Sequence, residues 1–252
     1  MKDTVSLITG AGSGIGAETA KALASKGGAV SVAGIPAAGV EAVASEITAA
    51  GGRALAVPTD VSQAEAVEHA VHTTVETFGR LDVVVANAAV QLHKTDRQLH
   101  TMDDATWDRT HDVNYRGVYL TCKAALARMV AQGGGGSIVI ISSIAGLSGA
   151  AGYPAYTAGK HGLIGLTRSI AVEYAPHGIR CNAVCPGALE RTPNHEDLPD
   201  PDGRAAGRLE RIPLGRLGTP ADIAPWIVFL ASSGAGYATG ATFVVDGGFS
   251  VA

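Results

Sequence analysis

Tyr156 and Lys160 stand four residues apart, and Ser143 precedes Tyr156 by thirteen residues. Four residues is about one helical turn, so the spacing puts Lys160 on the same face as Tyr156. A phenol ordinarily ionises near pH ~10. A fixed ammonium beside it favours the phenolate and is expected to lower that value. A hydroxyl from Ser143 could hold a reacting oxygen against the phenol. Together the three side chains suit proton transfer in alcohol–ketone chemistry near neutral pH. The spacing alone discriminates little: with 6 Tyr and 6 Lys in 252 residues, about 0.14 such pairs arise by chance. A second pair, Tyr119 and Lys123, does occur. It lies in an amphipathic stretch with no serine-ended strand ahead of it, so helix packing is its expected role.

The elements that must position these residues are legible as an alternation. Short β-branched runs fall at 4–9, 29–33, 54–58, 81–86, 137–142, 179–184 and 242–245. Ala-rich helical patterns lie between them, near 14–26, 37–50, 62–78, 103–131, 154–175 and 220–232. Strands buried on both faces, alternating with helices, predict an α/β fold: one doubly wound, mainly parallel seven-stranded sheet in a single domain spanning 1–252. Such sheets bind ligands beyond the C-terminal strand ends. Gly10–Gly16, Gly34, Asp60, Asn87, Ser143 and Pro186-Gly187 fall at those ends in turn.

The stretch "TGAGSGIG" follows the first strand and opens a helix. Gly10 permits a tight turn, while Gly14 and Gly16 let backbone approach a pyrophosphate drawn to the helix N-terminus. Ser13 and Ile15 belong to the same cradle. Gly12, Gly14 and Ala17 form a variant of the dinucleotide fingerprint.

On these residues the chain resembles the short-chain dehydrogenase/reductase family over essentially its whole length. The family's glycine motif matches Thr9, Gly10, Gly14 and Gly16, and its active-site set matches Asn114, Ser143, Tyr156 and Lys160. Asp60-Val61 matches the pair that flanks adenine in relatives, Pro186-Gly187 the Pro-Gly after the sixth strand, and "VVDGG" the typical close. The resemblance implies Tyr156 as general acid–base and Ser143 as the holder of the substrate oxygen. Lys160 would hold the nicotinamide ribose, and Asn114 a water relaying protons to Lys160. It also implies a homotetramer with the C-terminal segment near a subunit contact. The family's Asn-Asn-Ala-Gly reads "ANAA" here, so Asn87 keeps the second Asn while Ala86 and Ala89 replace the first Asn and the Gly. Thr192 sits one residue beyond the usual spacing for a nicotinamide contact.

Cofactor choice rests on the end of the second strand. NAD-preferring relatives place an Asp where this chain has Gly34; NADP-preferring ones put a basic residue where it has Ile35 or Ser13. A 2′-phosphate left without a cation loses more than a hydroxyl left without an acid, so NAD(H) is favoured over NADP(H). The expected substrate is a small secondary alcohol or ketone, cyclic or aliphatic, against Val90, Leu92, Leu147, Tyr153 and Ala188. The rival function is a dinucleotide-sensing regulator without turnover, which would not need the tuned phenol.

A net charge of −4 with dispersed basic residues gives no footprint for nucleic acid or anionic membrane. Cys122, Cys181 and Cys185, an odd set with no secretory leader, are expected to be reduced thiols in a cytoplasmic protein. The eight histidines form no metal-binding cluster. The segment from Asn87 to Asn114 is long enough to wall the substrate, and 188–219 reads as a lid or a plain loop. His93 and His195 are expected to be ordinary surface residues.

Overall fold

The computed structural model describes residues 1–190, 207 and 209–252; Thr192, His195 and most of the 188–219 loop lie outside them. Seven strands form one sheet: β1 (Val5–Thr9), β2 (Ala29–Gly34), β3 (Arg53–Pro58), β4 (Val83–Ala86), β5 (Gly136–Ile141), β6 (Ile179–Pro186) and β7 (Thr242–Val245). Their spatial order is β3-β2-β1-β4-β5-β6-β7, and every pairing is parallel. The winding reverses between β1 and β4, which opens a crevice at the strand ends.

Helices cover both faces. Among the described residues they include α1 (Gly14–Ser25), α2 (Ala37–Ala49), α3 (Ala64–Phe78), α4 (Asp104–His111), α5 (Gly117–Gln132), α6 (Pro154–Tyr174) and α7 (Pro220–Ala231). Successive strand residues point to opposite faces, and here both faces are apolar. Ile8, Val85, Val139 and Val184 share a core with Leu23, Val40 and Ile227 of α1, α2 and α7. Leu7, Val84, Ile138 and Cys181 share the other with Val71, Leu126 and Leu163 of α3, α5 and α6. Two-sided burial is why the central strands read as unbroken apolar runs. The edge strands depart from that expectation: among the described residues β3 and β7 have a neighbour on one side only, and both are partly exposed.

The helical pattern expected over 103–131 is interrupted. Between α4 and α5 the chain makes a π-helical turn at Asp112–Arg116. One extra residue in the turn re-aims the side chains that follow. At its end Gly117 packs on Val61, where a Cβ would lie only 2.7 Å from a Val61 methyl. No helix among the described residues is long and apolar enough to cross a membrane.

Candidate active site

The glycine loop is built around contacts that only glycine allows. Gly10 takes a φ of +63°, and a Cβ on Gly16 would run into the Gly10 carbonyl and stand 2.7 Å from the Asn87 amide nitrogen. That packing brings bare backbone to the start of α1, where unpaired N–H groups and the helix dipole attract an anion. The cradle therefore fits a dinucleotide pyrophosphate. Ser13 precedes α1 as its N-cap, while Ile15 leans back onto the core.

Asn87 holds this loop rather than reaching away from it. Its side-chain amide donates to the Thr9 carbonyl at 2.9 Å and the Gly10 carbonyl at 3.1 Å. The Thr9 hydroxyl in turn accepts the backbone N–H groups of Asn87 and Ala88 at 3.1 and 3.2 Å. The ends of β1 and β4, which flank the crevice, are thus laced together.

At the end of β3 the Asp60 carboxylate accepts the Ser62 hydroxyl at 2.7 Å and the Ser62 N–H at 3.0 Å. Burial pulls its pKa up, but the Ser62 bonds and the Arg109 charge outweigh that and leave it lowered. The side chain of Val61 is buried with Val67 and Val113, so only its backbone is left to face a ligand. Gly34, at the end of β2, has a φ of +153°, and a Cβ there would approach the Gly10 Cα at 3.3 Å. An acid at that position would be strained. Ile35 beside it is exposed.

Ser143, Tyr156 and Lys160 meet at the end of β5. The Ser143 hydroxyl caps the following turn, accepting the Ala145 N–H at 3.1 Å, and also hydrogen-bonds the Tyr156 phenol. It thus caps a turn and contacts the phenol at once. The neighbouring Ser142 donates to the Lys160 carbonyl at 2.9 Å and so pins α6 to the sheet. Lys160 is 2% exposed, and its Nζ lies 5.5 Å from the centre of the Tyr156 ring. The ammonium donates to the Ile141 carbonyl at 2.8 Å. Burial lowers its pKa to about 8, with the Cys185 sulfur opposing the shift.

The phenol corrects one expectation. In the protein alone, burial pushes the Tyr156 pKa above its ordinary value. The Ser143 bond opposes the rise and the nearby Cys185 adds to it. Desolvation of a phenolate outweighs the attraction of an ammonium that is directed at a backbone carbonyl.

Asn114 is fully buried in the π-turn. Its amide oxygen accepts the Val90 N–H and its amide nitrogen donates to the Val90 carbonyl, both at 2.7 Å. Side chain and backbone are paired like a rung of a sheet, which fixes the backbone at Val90. Pro186 and Gly187 end β6; Gly187 donates to the Val245 carbonyl at 2.9 Å, with Asp246 too close to admit a side chain. The base of the 188–219 loop is closed by Leu189, bridged to Gly218, and by the Glu190 N–H on the Gly218 carbonyl at 2.8 Å.

Expectations for two single residues change, and a third residue comes into view. Tyr119 is 45% exposed, so it is not a packing residue; the outer side of α5 carries it. His93 is half-buried, with Nδ1 3.2 Å from the Tyr153 hydroxyl and the two rings edge to face, not an ordinary surface residue. Asp96, which sequence reasoning passed over, is 1% exposed and accepts the N–H groups of Ala155 and Tyr156. No periodicity or motif marks it; the signal is an acid in a polar loop.

A sequence profile described as enoyl-(acyl carrier protein) reductase matches residues 10–250. Among curated proteins, the chain is 45% identical over 248 residues to cis-4-hydroxycyclohexanecarboxylate dehydrogenase of Sinomonas cyclohexanicum, covering 98% of this chain and 97% of that one. It is 42% identical to L-rhamnose 1-dehydrogenase (NAD(P)(+)) of Azotobacter vinelandii, over 99% of this chain and 97% of the relative. The crystal structure of levodione reductase superposes with a TM-score of 0.92 at 36% identity, covering 100% of this chain and 99% of that one. A short-chain type dehydrogenase/reductase from Mycobacterium marinum matches equally well, with a TM-score of 0.92 at 36% identity over 100% and 97% of the two chains. The chain belongs to the short-chain dehydrogenase/reductase family. It is an NAD(P)-dependent oxidoreductase acting on a small hydroxyl or ketone substrate.

Proposed function

We propose that this enzyme interconverts a cyclic or aliphatic secondary alcohol and its ketone with NAD(H), Tyr156 serving as the general acid–base. The observation that carries this reading is the Ser143–Tyr156 hydrogen bond with the Lys160 ammonium 5.5 Å from the ring, at the strand ends beside the glycine cradle. The nicotinamide, when bound, supplies or accepts the hydride at the substrate carbon. In reduction the Tyr156 phenol gives its proton to the carbonyl oxygen while the Ser143 hydroxyl holds that oxygen in place. The raised phenol pKa keeps the acid protonated at neutral pH. Lys160, charged below about pH 8, stabilises the phenolate left behind. In oxidation the same groups act in reverse. Asn114 sets the wall through Val90; a water relay from Lys160 would pass close to this turn.

Gly10, Ser13, Gly14, Ile15 and Gly16 would receive the pyrophosphate, Gly34, Asp60 and Val61 the adenosine, and Asn87, Tyr156, Lys160, Pro186 and Gly187 the nicotinamide half. Preference for NAD(H) follows from Gly34 and Ile35, which offer no cation to a 2′-phosphate carrying up to about two charges. The half-buried Val90, Leu92 and Tyr153 and the exposed Leu147 favour an apolar ring or chain in the substrate. Three buried, unpaired cysteines suit a cytoplasmic enzyme; burial pushes the Cys122 thiol up to about 12.

The test is a panel of cyclic and acyclic alcohols and ketones, with the reduced nicotinamide followed by absorbance. Tyr156→Phe should lose at least ~10²-fold in turnover, the scale of acid–base catalysis, with cofactor binding kept. Tyr119→Phe should turn over normally. Equal behaviour of the two variants would refute the assignment. Side-by-side kcat/KM values decide the cofactor: a preference for NADP(H) of about tenfold or more, ~1.4 kcal/mol, overturns the NAD(H) reading.

A further inference from the structure

Helix α6 begins without a cap of its own. Tyr153 is its N-cap and makes no side-chain bond to the first turn, and Pro154 follows. The next two N–H groups, of Ala155 and Tyr156, have no acceptor within the helix. Both are taken by one carboxylate far away in sequence. Asp96 Oδ1 accepts the Ala155 N–H at 3.2 Å and Oδ2 accepts the Tyr156 N–H at 3.0 Å. Asp96 is 1% exposed, and among the described residues no cation pairs with it. Burying a lone carboxylate is costly unless hydrogen bonds and a favourable field replace water. The start of a long helix supplies both. A Ser, Thr or Asp at position 153 would cap the helix locally with less buried charge. The imported cap does something a local one cannot: it joins α6 to the segment that walls the substrate.

That segment is held at two points. At its start Val90 is clamped by the Asn114 amide, and near its middle Asp96 grips the backbone of Tyr156 itself. Between them His93 meets Tyr153, the residue just ahead of α6. Wall and acid–base residue therefore move as one piece.

We propose that Asp96 is a positioning residue for the reaction, setting the placement of Tyr156 relative to a substrate held by the 88–103 wall. This rests on the reading of Tyr156 as the acid–base group. The carboxylate fixes the backbone of Tyr156, and the helix carries that placement to the phenol. Misplacement of a reacting group by about 1 Å can cost on the order of 10²-fold in rate. Loosening at Asp96 should thus act on turnover more than on cofactor binding, whose cradle lies on other elements.

The experiment compares wild type, Asp96→Ala and Asp96→Asn on a substrate that the wild type turns over and Tyr156→Phe does not. Rates are expressed per cofactor-binding site, counted by titration with NADH. Asp96→Ala should lose about tenfold or more in kcat, with the NADH dissociation constant within about twofold. Asp96→Asn, which keeps one acceptor oxygen, should fall between the two. Amide hydrogen exchange of the segment 150–158 should quicken in Asp96→Ala, a readout independent of turnover. A kcat per site within about twofold of wild type in Asp96→Ala overturns the proposal, whatever the melting temperature does. If Asp96→Ala is not recovered folded, wild-type turnover and wild-type exchange in Asp96→Asn overturn it equally. Turnover retained by Tyr156→Phe on every substrate of the wild type would count against the reading of Tyr156, not against Asp96.

Discussion

Lys160, in the role proposed for it, would serve chemistry at a cost to the fold. Its ammonium is buried against the Ile141 carbonyl, and its pKa falls from 10.5 to about 8. Between those values the unfolded chain holds a proton that the folded one has released, so stability gains as pH rises through that window. Below about pH 8 the folded state carries the burial cost of the charge. Lys160→Met removes it. In urea unfolding of the cofactor-free protein, the variant should be at least as stable as wild type at pH 7, and the difference should move in favour of wild type by pH 10. Turnover should move the other way. Without the ammonium the Tyr156 phenolate is harder to form, so the rising limb of alcohol oxidation shifts to higher pH. A wild-type pH profile in Lys160→Met would remove Lys160 from the proton chemistry. The trio itself was legible because its spacing reports one helical turn and one strand end. The direction of the Tyr156 shift was not, since it depends on how much water the fold excludes.

At the scale of elements, the site depends on side chains that tie strand ends and helix starts together. Asn87→Ala would strip the Thr9 and Gly10 carbonyls of their amide partner. Leaving buried acceptors unsatisfied costs about 1–3 kcal/mol. We expect a loss of that size in unfolding free energy, and weaker NADH binding, because the glycine loop is loosened from β4. Unchanged affinity would mean that the loop holds its shape through Gly16 packing alone. The strands, most of the helices and the glycine cradle could be seen in the sequence because each is written in local periodicity or a contiguous motif. The lacing of Thr9 to Asn87, the Val90 clamp on Asn114 and the grip of Asp96 on α6 could not. Each joins residues 24 to 78 positions apart through one or two hydrogen bonds, and a lone Asn or Asp in a loop carries no period. The π-turn was hidden for a related reason: the pattern over 103–131 stays helical in composition on both sides of Asn114, and only the register changes.

For the whole molecule, two groups of exposed apolar residues lie on separate elements. On the face that packs α5 and α6 against the sheet, Tyr115, Tyr119 and Val172 remain outside, the last at 80% exposure. At the other side and edge, α7 carries Trp226 and Phe229, β7 carries Val244, and the C-terminal turn carries Val251 at 88% exposure. Among the described residues β7 also ends the sheet with one side unpaired. Large apolar patches on a protein in water mark contact surfaces. If each group pairs with its own copy in a second chain, the two contacts together build a tetramer with three two-fold axes. We therefore expect a homotetramer, as the family resemblance implies. Sedimentation at micromolar concentration should show it, and a stable monomer would reject it. Phe229→Glu should open the α7–β7 contact and leave dimers joined through α5 and α6. Tyr119→Glu should leave the opposite dimer, and the double variant should sediment as a monomer. Because Ser143, Tyr156 and Lys160 all come from one chain, each dimer should still bind NADH at one site per subunit. A single charge that took the tetramer straight to monomers would show that one surface alone holds the assembly.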